Sequence, residues 1–326
     1  MRPALLCWAD IFFVVTISES CGDFPIRTTE CNSSSRQQLP RTVFGSAASS
    51  SAAGVGPWDA LLREGQSGVP PTLPLILGSD IAGIVDVIGA GVSAFSVGDE
   101  VYGLTNQHFT GGYAEYALAT ASSMARKPKS LSFIQAASAP VVAVTAWQML
   151  FDYAHAVAGQ KVLIHGAAGN VGAYAVQMAR NAGLEVLATA SSNDVEYVHQ
   201  LGASTVIDYR QSRFEDFVRE VDIVLDTVGG DTPTRSFGVL KPGGVLVSVV
   251  SSPMPKDLAE KAGVKAIFFL VEVTTARLNA IAEQFDSGKI VAQVGTVLPL
   301  EDAQAAHDML AGAPHARGKI VLSVAA

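Results

Sequence analysis

The chain has 326 residues, enough for two domains that each bury a core. With 49% hydrophobic and 16% charged residues, its composition excludes an intrinsically disordered protein. The net charge of −8 argues against nucleic acid or an anionic membrane as a partner, and no run after residue 60 approaches the roughly 20 apolar residues of a membrane span.

Residues 1–51 form an atypical leader that is expected to be poorly ordered. The leader holds all the cysteines of the chain, Cys7, Cys21 and Cys31. Its start loosely resembles a signal peptide, but Asp10 splits the apolar run, so a cytoplasmic protein is expected rather than an exported one. The serine run before Ala52 lacks strand propensity, which predicts missing strand partners in the domain that follows.

The next segment has the pattern of a β-rich domain. Residues 73–103 alternate short apolar strands with Gly, Asp and Ser turns, and residues 111–118 add a strand. Near the end of the chain, an amphipathic helix is predicted over 274–287 and a final strand over 318–324. We therefore predict one β-rich domain from residues 52–126 and 272–326, with a second domain inserted at 127–271.

Residues 161–172, KVLIHGAAGNVG, carry the most informative motif. A short apolar strand runs into three glycines, and an amphipathic helical pattern follows at once. Such glycines allow a tight turn, a close approach of the backbone to a pyrophosphate, and close packing of helix on strand. Because amides at the helix N-terminus bind phosphate, this stretch predicts a dinucleotide site with the contact residues Gly166, Ala168, Gly169, Asn170, Val171 and Gly172.

Strand and helix patterns alternate from this motif to residue 273. Helical segments, one of them at 213–221, separate apolar strands predicted at 183–190, 204–209, 222–230, 241–250 and 266–273. Continuous apolar strands of this kind indicate a parallel sheet covered on both faces. The inserted domain is therefore predicted to be a doubly wound α/β (Rossmann) domain.

The end of the second strand of this domain indicates which dinucleotide binds. NAD-binding domains usually place Asp or Glu there, where it holds the ribose hydroxyls. This chain has Ala190, Ser191 and Ser192, with Asp194 a little further along. Without an acid at the strand end, a 2′-phosphate is not repelled and the serine hydroxyls can donate to it. NADPH is therefore favoured over NADH.

These motifs, in this order from residue 52 to 324, resemble the medium-chain dehydrogenase/reductase superfamily and, within it, the zinc-free quinone oxidoreductases. The stretches that carry the resemblance include AAGVGPWDALLREG, LPLILGSDIAGIV, HGAAGNVG, LDTVGG and RGKIVL. The resemblance implies a GroES-like catalytic domain, a homodimer, and hydride transfer from NADPH to a small electrophilic substrate, either a quinone or the activated double bond of an enone. An enoyl-thioester reductase and a non-catalytic NADPH-binding protein stay open as alternatives.

The resemblance also places residues beside the cofactor. Tyr209 and Arg210 match a position that contacts the adenosine phosphate. Lys319 matches another position near the cofactor, although a surface cation would fit the sequence equally well. The strand that borders the nicotinamide in relatives corresponds to Phe268, Phe269 and Leu270.

Catalytic residues are the least defined part of the sequence. Trp58 lies in a motif that borders the cleft in relatives, yet a core aromatic is as consistent with it, and Thr145 matches a polar position near the nicotinamide. Several relatives carry Asn and Tyr where this chain has Gly56 and Leu61, so polarisation of the substrate by those groups is not carried over. Asp59 is expected to cap the following helix.

Zinc is predicted to be absent from the enzyme body. A structural zinc usually needs four thiolates, and no cysteine follows Cys31. In zinc-dependent relatives a Gly-His-Glu stands where this chain has Gly78, Ser79 and Asp80, so the imidazole is missing. His165, at the end of the first Rossmann strand, is expected to be a hydrogen-bonded core residue.

Overall fold

The computed structural model describes residues 15–18, 51–67, 74–89, 91–250 and 256–324. Its strands are β1 (Val15–Ser18), β2 (Ser51–Val55), β3 (Asp80–Ile88), β4 (Glu100–Leu104), β5 (Ala117–Thr120), β6 (Met124–Arg126), β7 (Lys161–His165), β8 (Glu185–Ala190), β9 (Thr205–Asp208), β10 (Val221–Asp226), β11 (Leu240–Ser248), β12 (Lys265–Phe268), β13 (Val294–Pro299) and β14 (Lys319–Val324). Its α-helices are α1 (Pro57–Arg63), α2 (Phe133–Ala137), α3 (Pro140–Trp147), α4 (Asn170–Asn181), α5 (Val195–Leu201), α6 (Thr232–Ser236), α7 (Lys256–Lys261), α8 (Thr275–Asp286) and α9 (Ala303–Leu310).

Six of these strands form a parallel sheet in the order β12-β11-β10-β7-β8-β9. Every pairing in it is parallel, and the strand order reverses between β7 and β10. The doubly wound α/β fold predicted from the sequence is therefore confirmed. In such sheets ligands bind outside the carboxyl ends of the strands at the point of reversal, which here is the end of β7.

Two segments of the parallel-sheet region differ from their predicted structures. The predicted helix at 213–221 is reduced to one 3₁₀ turn, Phe214–Asp216. Phe214 and Val218 are buried there, and Glu220 has a φ of 57°, which ends any helix before β10. The strand predicted at 266–273 stops at Phe268, so residues 269–273 lie beyond the sheet.

The remaining strands form a mixed sheet with the path β13-β14-β2-β3-β1-β5, and β4 pairs with β3 and β6. The lack of strand partners predicted for this domain does not hold for β2, which lies between β14 and β3 and is paired on both sides. Apart from β1 and Ser51, the leader lies outside the described residues. The domain boundaries at 126/127 and 271/272 stay predictions.

One hydrophobic core continues from the mixed sheet to the parallel sheet through α3 and α8. Tyr102 of β4 is fully buried, and its hydroxyl donates to the carbonyl of Leu278 in α8 at 2.6 Å. Met149 lies in a π-helical turn, Gln148–Tyr153, that extends α3, and it packs in the same cluster as Ile164 of β7. This continuous packing holds the two sheets against each other.

Candidate functional site

A cleft of about 630 Å³ opens at the carboxyl ends of β7, β8, β9 and β10, where Thr227 follows the last of these strands. Its walls come from the Gly-rich turn, from the segments after β8 and β9, and from the loop before β14. This is the place at which a doubly wound sheet binds its ligand. The cleft brings together six residues of the predicted cofactor site: Gly166, Ala168, Gly169, Ser191, Tyr209 and Arg210.

Each glycine of the fingerprint has its own structural reason. Gly166 has a φ of 71°, in the left-handed region that favours glycine. A Cβ on Gly172 would lie 2.2 Å from the carbonyl oxygen of Gly166, so only glycine lets α4 pack this close to the turn. Gly169 is the N-cap of α4 and a Cβ there would meet only that same oxygen, at 3.2 Å. Gly169 has no side chain to cap the first-turn amides, which are thus left for a phosphate.

Asp194, which the sequence places just beyond the end of the second strand, lines the cleft beside the segments that follow β8 and β9. Asp194 is part of the wall, and Ser191 Oγ donates to its Oδ2 at 2.5 Å. Ser192 lies outside the lining and donates instead to Asp208 Oδ2 at 2.5 Å. Both serine protons are engaged in this arrangement. The serines therefore do not supply the free donors on which the preference for NADPH was based.

Arg317 is a functional candidate that the sequence did not single out. It lies in the cleft wall, donates from Nε to Asp194 Oδ1 at 2.7 Å, and stacks on the Tyr197 ring at 4.4 Å. Arg210 also lines the cleft, with its guanidinium 5.9 Å from the ring of Tyr209. Arg210 and Arg317 thus both line this part of the cleft. Arg317 begins the RGK motif of the sequence, from which only Lys319 was predicted to lie near the cofactor.

The residues expected at the nicotinamide end do not form one surface. Phe269 is buried against Tyr153, with ring centroids 4.3 Å apart, whereas the side chain of Leu270 is 80% exposed. Phe268 ends β12 and is half-buried. Of the three side chains, only that of Phe269 is buried in the core, and the role of these residues at the nicotinamide stays a prediction.

Lys319 is not a surface cation. It is 1% exposed, and its Nζ lies 2.9 Å from Oδ2 of Asp80, which is fully buried. The other oxygen of Asp80 accepts the Val141 amide at the start of α3, at 2.9 Å. Burial raises the pKa of Asp80, and the nearby ammonium opposes that shift. The Lys319–Asp80 pair and the Val141 amide together join β14, β3 and α3. Lys319 does not line the cleft, and the contact predicted between Lys319 and the cofactor stays untested.

Trp58 sits directly over this ion pair. Its ring lies 4.3 Å from the Lys319 ammonium and meets Phe109 edge-on at 5.9 Å. Its indole Nε1 donates to Ser79 Oγ at 3.0 Å. A Cβ on Gly56 would lie 2.3 Å from the indole, so the ring covers the position where relatives carry Asn. Trp58 is half-buried, and the catalytic role predicted for it stays open.

Thr145 is buried within α3, with 5% of its surface exposed. Its hydroxyl donates to the Val141 carbonyl one turn earlier, at 2.7 Å. The single proton of this hydroxyl is engaged, so the structure does not offer Thr145 as a hydrogen-bond donor to a substrate.

Asp59 helps to cap α1, as expected, but from the third position of the helix rather than as the N-cap residue. Gly56 is the N-cap of α1, and Asp59 reaches back from inside the helix to accept the Gly56 amide at 2.8 Å and the Tyr113 hydroxyl at 2.9 Å. Burial raises its pKa to about 7. His307 lies edge-on to Tyr113 at 5.9 Å and is buried, which lowers its pKa to about 4.

His165 is a core residue, as predicted. Its Nδ1 lies 3.1 Å from Thr189 Oγ1 and its Nε2 lies 3.0 Å from Ser236 Oγ, and burial lowers its pKa to about 4. Among the residues that the structure describes, no three His, Cys, Asp or Glu side chains lie close enough to hold a metal ion. No helix within the described ranges is long and apolar enough to cross a membrane.

Comparison with known proteins matches two family models to this chain. Residues 49–129 match the alcohol dehydrogenase GroES-like domain, and residues 201–322 match a model described as zinc-binding dehydrogenase. The quinone oxidoreductase of Pongo abelii is 32% identical over 286 residues, which are 83% of this chain and 86% of that protein. A probable mitochondrial zinc-binding oxidoreductase of Arthroderma benhamiae is 34% identical over 263 residues, 76% of this chain and 79% of that protein.

Solved structures of oxidoreductases are also similar to this chain. The quinone oxidoreductase from Coxiella burnetii superposes with a TM-score of 0.78 at 32% identity, covering 85% of this chain and 90% of that one. The CurK enoyl reductase superposes with a TM-score of 0.74 at 27% identity, covering 88% and 94%.

Proposed function

The chain belongs to the medium-chain dehydrogenase/reductase superfamily as a quinone oxidoreductase-like member, and from that premise we propose that it transfers hydride from NADPH to a quinone or to the activated double bond of an enone. The observation that carries this proposal is the 630 Å³ cleft at the ends of β7, β8, β9 and β10. The same cleft supports a small-molecule substrate. A cytoplasmic homodimer is part of the proposal and rests on the family and the composition.

The residues of the cleft fit a dinucleotide. The open face of Gly169 leaves room for a pyrophosphate, and the amides that begin α4 at Asn170, Val171 and Gly172 would bind its oxygens. Arg210 and Arg317 would hold the adenosine end. NADPH bound in this way would supply the hydride.

We place the substrate beside Trp58 and Phe109, neither of which lines the 630 Å³ cleft. Trp58 and Phe109 meet edge-on, which gives a planar substrate two aromatic surfaces to pack against. The indole proton is engaged by Ser79, and the Thr145 proton is engaged within its helix. These groups position the substrate rather than polarise it, which suits quinones and enones because they are electrophilic without help.

We include zinc independence in the proposal, although the family model that matches residues 201–322 is described as zinc-binding dehydrogenase. Ser79 stands where zinc-dependent relatives carry their histidine, and its hydroxyl accepts the Trp58 indole proton. Asp80, the next residue, is bound to Lys319 and to the Val141 amide. The side chains at these positions are therefore committed to protein partners that would compete with a metal.

Enoyl-thioester reduction is the second candidate, because the CurK enoyl reductase shares the fold over 88% of this chain. The loss of NADPH absorbance, measured with an ortho-quinone, a simple enone and an enoyl-thioester, would separate a quinone or enone reductase from an enoyl-thioester reductase. We expect turnover with the quinone or the enone and little with the thioester. Calorimetric binding of NADPH without turnover of any substrate would instead support a non-catalytic NADPH-binding protein.

A further inference from the structure

Arg317 joins the two sheets at the adenosine end of the cleft. It lies in the loop between α9 and β14 and so leads into the mixed sheet, yet its contacts are with the segment after β8. Besides the bond to Asp194, its Nη2 donates to the Asn193 carbonyl at 3.3 Å. The guanidinium plane is supported by the Tyr197 ring at 4.4 Å. A ligand that touches Arg317 is thus held from both sides of the cleft.

Arg317 changes what Asp194 can do. A carboxylate after the second strand ordinarily accepts the ribose hydroxyls of NADH and repels a 2′-phosphate. Here Oδ2 of Asp194 is occupied by Ser191 and Oδ1 by Arg317, so both oxygens are engaged. The guanidinium also balances the charge of the carboxylate. Each oxygen of Asp194 thus already accepts a hydrogen bond and the ion pair with Arg317 has no net charge, which weakens both the acceptor and the repulsion that would select NADH.

The guanidinium also keeps donors for a ligand. Nε and Nη2 of Arg317 are bonded to Asp194 and Asn193, whereas Nη1 has no hydrogen-bond partner among the described residues. The side chain is 40% exposed and lines the cleft. A planar guanidinium that is fixed on one edge and open on the other is well suited to bind a phosphate.

We propose that Arg317 is a specificity-determining residue of the coenzyme site, which neutralises Asp194 and donates from Nη1 to the 2′-phosphate of NADPH. The proposal rests on the proposed function, since it assumes that the cleft binds this coenzyme. Arg210, on the segment after β9, is a second cation of the same cleft.

Calorimetry on the full chain with two probes tests the proposal. Adenosine 2′,5′-bisphosphate carries the 2′-phosphate, and adenosine 5′-monophosphate lacks it. In Arg317→Gln we expect binding of the bisphosphate to weaken about 10- to 100-fold, the range for a lost charge-assisted hydrogen bond, while binding of the monophosphate stays within about two-fold. Arg317→Lys should fall between, because it keeps the charge and loses the planar fork.

Arg126→Gln is the matched control. Arg126 is exposed, pairs with Asp99 at 2.6 Å on the mixed sheet, and does not line the cleft, so its loss should leave both affinities unchanged. A second experiment measures the affinity for NADH. Arg317→Gln frees Asp194 Oδ1, so NADH should bind more tightly to this variant. The double variant Arg317→Gln/Asp194→Asn should lose this increase in affinity.

The outcomes separate the two claims. A wild-type protein that binds both probes equally refutes the assignment of NADPH itself. A wild-type preference for the bisphosphate that survives Arg317→Gln overturns only the role of Arg317. Equal weakening of both probes in that variant also overturns the role, because it would show a general structural effect.

Discussion

Removing the Lys319 ammonium should destabilise the protein strongly, because it leaves a buried carboxylate without its counterion. In Lys319→Met the side-chain stem is retained, but Asp80, which is fully buried, keeps only the Val141 amide as a donor. Breaking one partner of such a pair typically lowers the free energy of unfolding by about 3 to 5 kcal/mol. Loss of the ammonium beneath Trp58, now 4.3 Å from its ring, acts in the same direction.

The double variant Lys319→Met/Asp80→Asn provides the internal control. The amide oxygen that Asp80→Asn introduces can still accept the Val141 amide, and no charge is left buried, so the double variant should recover most of the loss. Urea denaturation at pH 7, followed by tryptophan fluorescence and circular dichroism, would measure both variants.

The acid side of the pH profile supplies a second check. Because burial raises the pKa of Asp80, loss of Lys319 should raise it further. A carboxyl with a raised folded pKa destabilises the fold at neutral pH, and this destabilisation fades as the pH falls toward the unfolded value. The deficit of Lys319→Met should therefore shrink as the pH is lowered from 7 toward the unfolded pKa of about 3.9. A loss below about 1 kcal/mol at pH 7, or a double variant no more stable than the single one, would refute the reasoning.

Three further outcomes are expected. Gly169→Asp should abolish NADPH binding in calorimetry, while the circular dichroism spectrum stays near that of the wild type. Gly172→Ala should instead lower the melting temperature, because its Cβ would lie 2.2 Å from the Gly166 carbonyl oxygen. The reverse pattern would contradict the roles given to these two glycines. His165 is neutral in the fold, with a pKa lowered to about 4, so its contribution to stability is full above its unfolded pKa of about 6.5 and is lost as the pH falls toward 4. Between pH 7 and 5 this amounts to roughly 2 kcal/mol, and denaturation of His165→Gln should lack that part of the pH dependence. NADPH oxidation should persist after prolonged treatment with a metal chelator. A chelated protein that loses activity and regains it on addition of zinc would disprove a metal-free reaction.

The fold was predictable wherever local pattern and tertiary structure agree. Gly166, Gly169 and Gly172 follow an apolar strand and precede a helix, and the structure needs each of them for geometric reasons visible in the motif. The 3₁₀ turn at Phe214–Asp216 was not predictable, because its helical periodicity is overridden by a short connection into β10.

The polar partners within the site could not be predicted from the chain order. Arg317 and Asp194 are 123 residues apart, and only the docking of the loop before β14 on the parallel sheet brings them together. In the same way, a lysine near the end of the chain is consistent with a surface cation until β14 is placed beside β2, where Lys319 faces Asp80. Sequence spacing carries no record of such long-range pairs.

The indole of Trp58 over Gly56 has a consequence for how this site can evolve. The Cβ of any side chain placed at position 56 would lie 2.3 Å from the ring, and moving the ring would break its hydrogen bond to Ser79 and its contact with Lys319. An asparagine at position 56 is therefore expected to lower the free energy of unfolding as long as Trp58 is present. A smaller residue at position 58 would remove this conflict, so the effects of substitutions at positions 56 and 58 are expected to be non-additive.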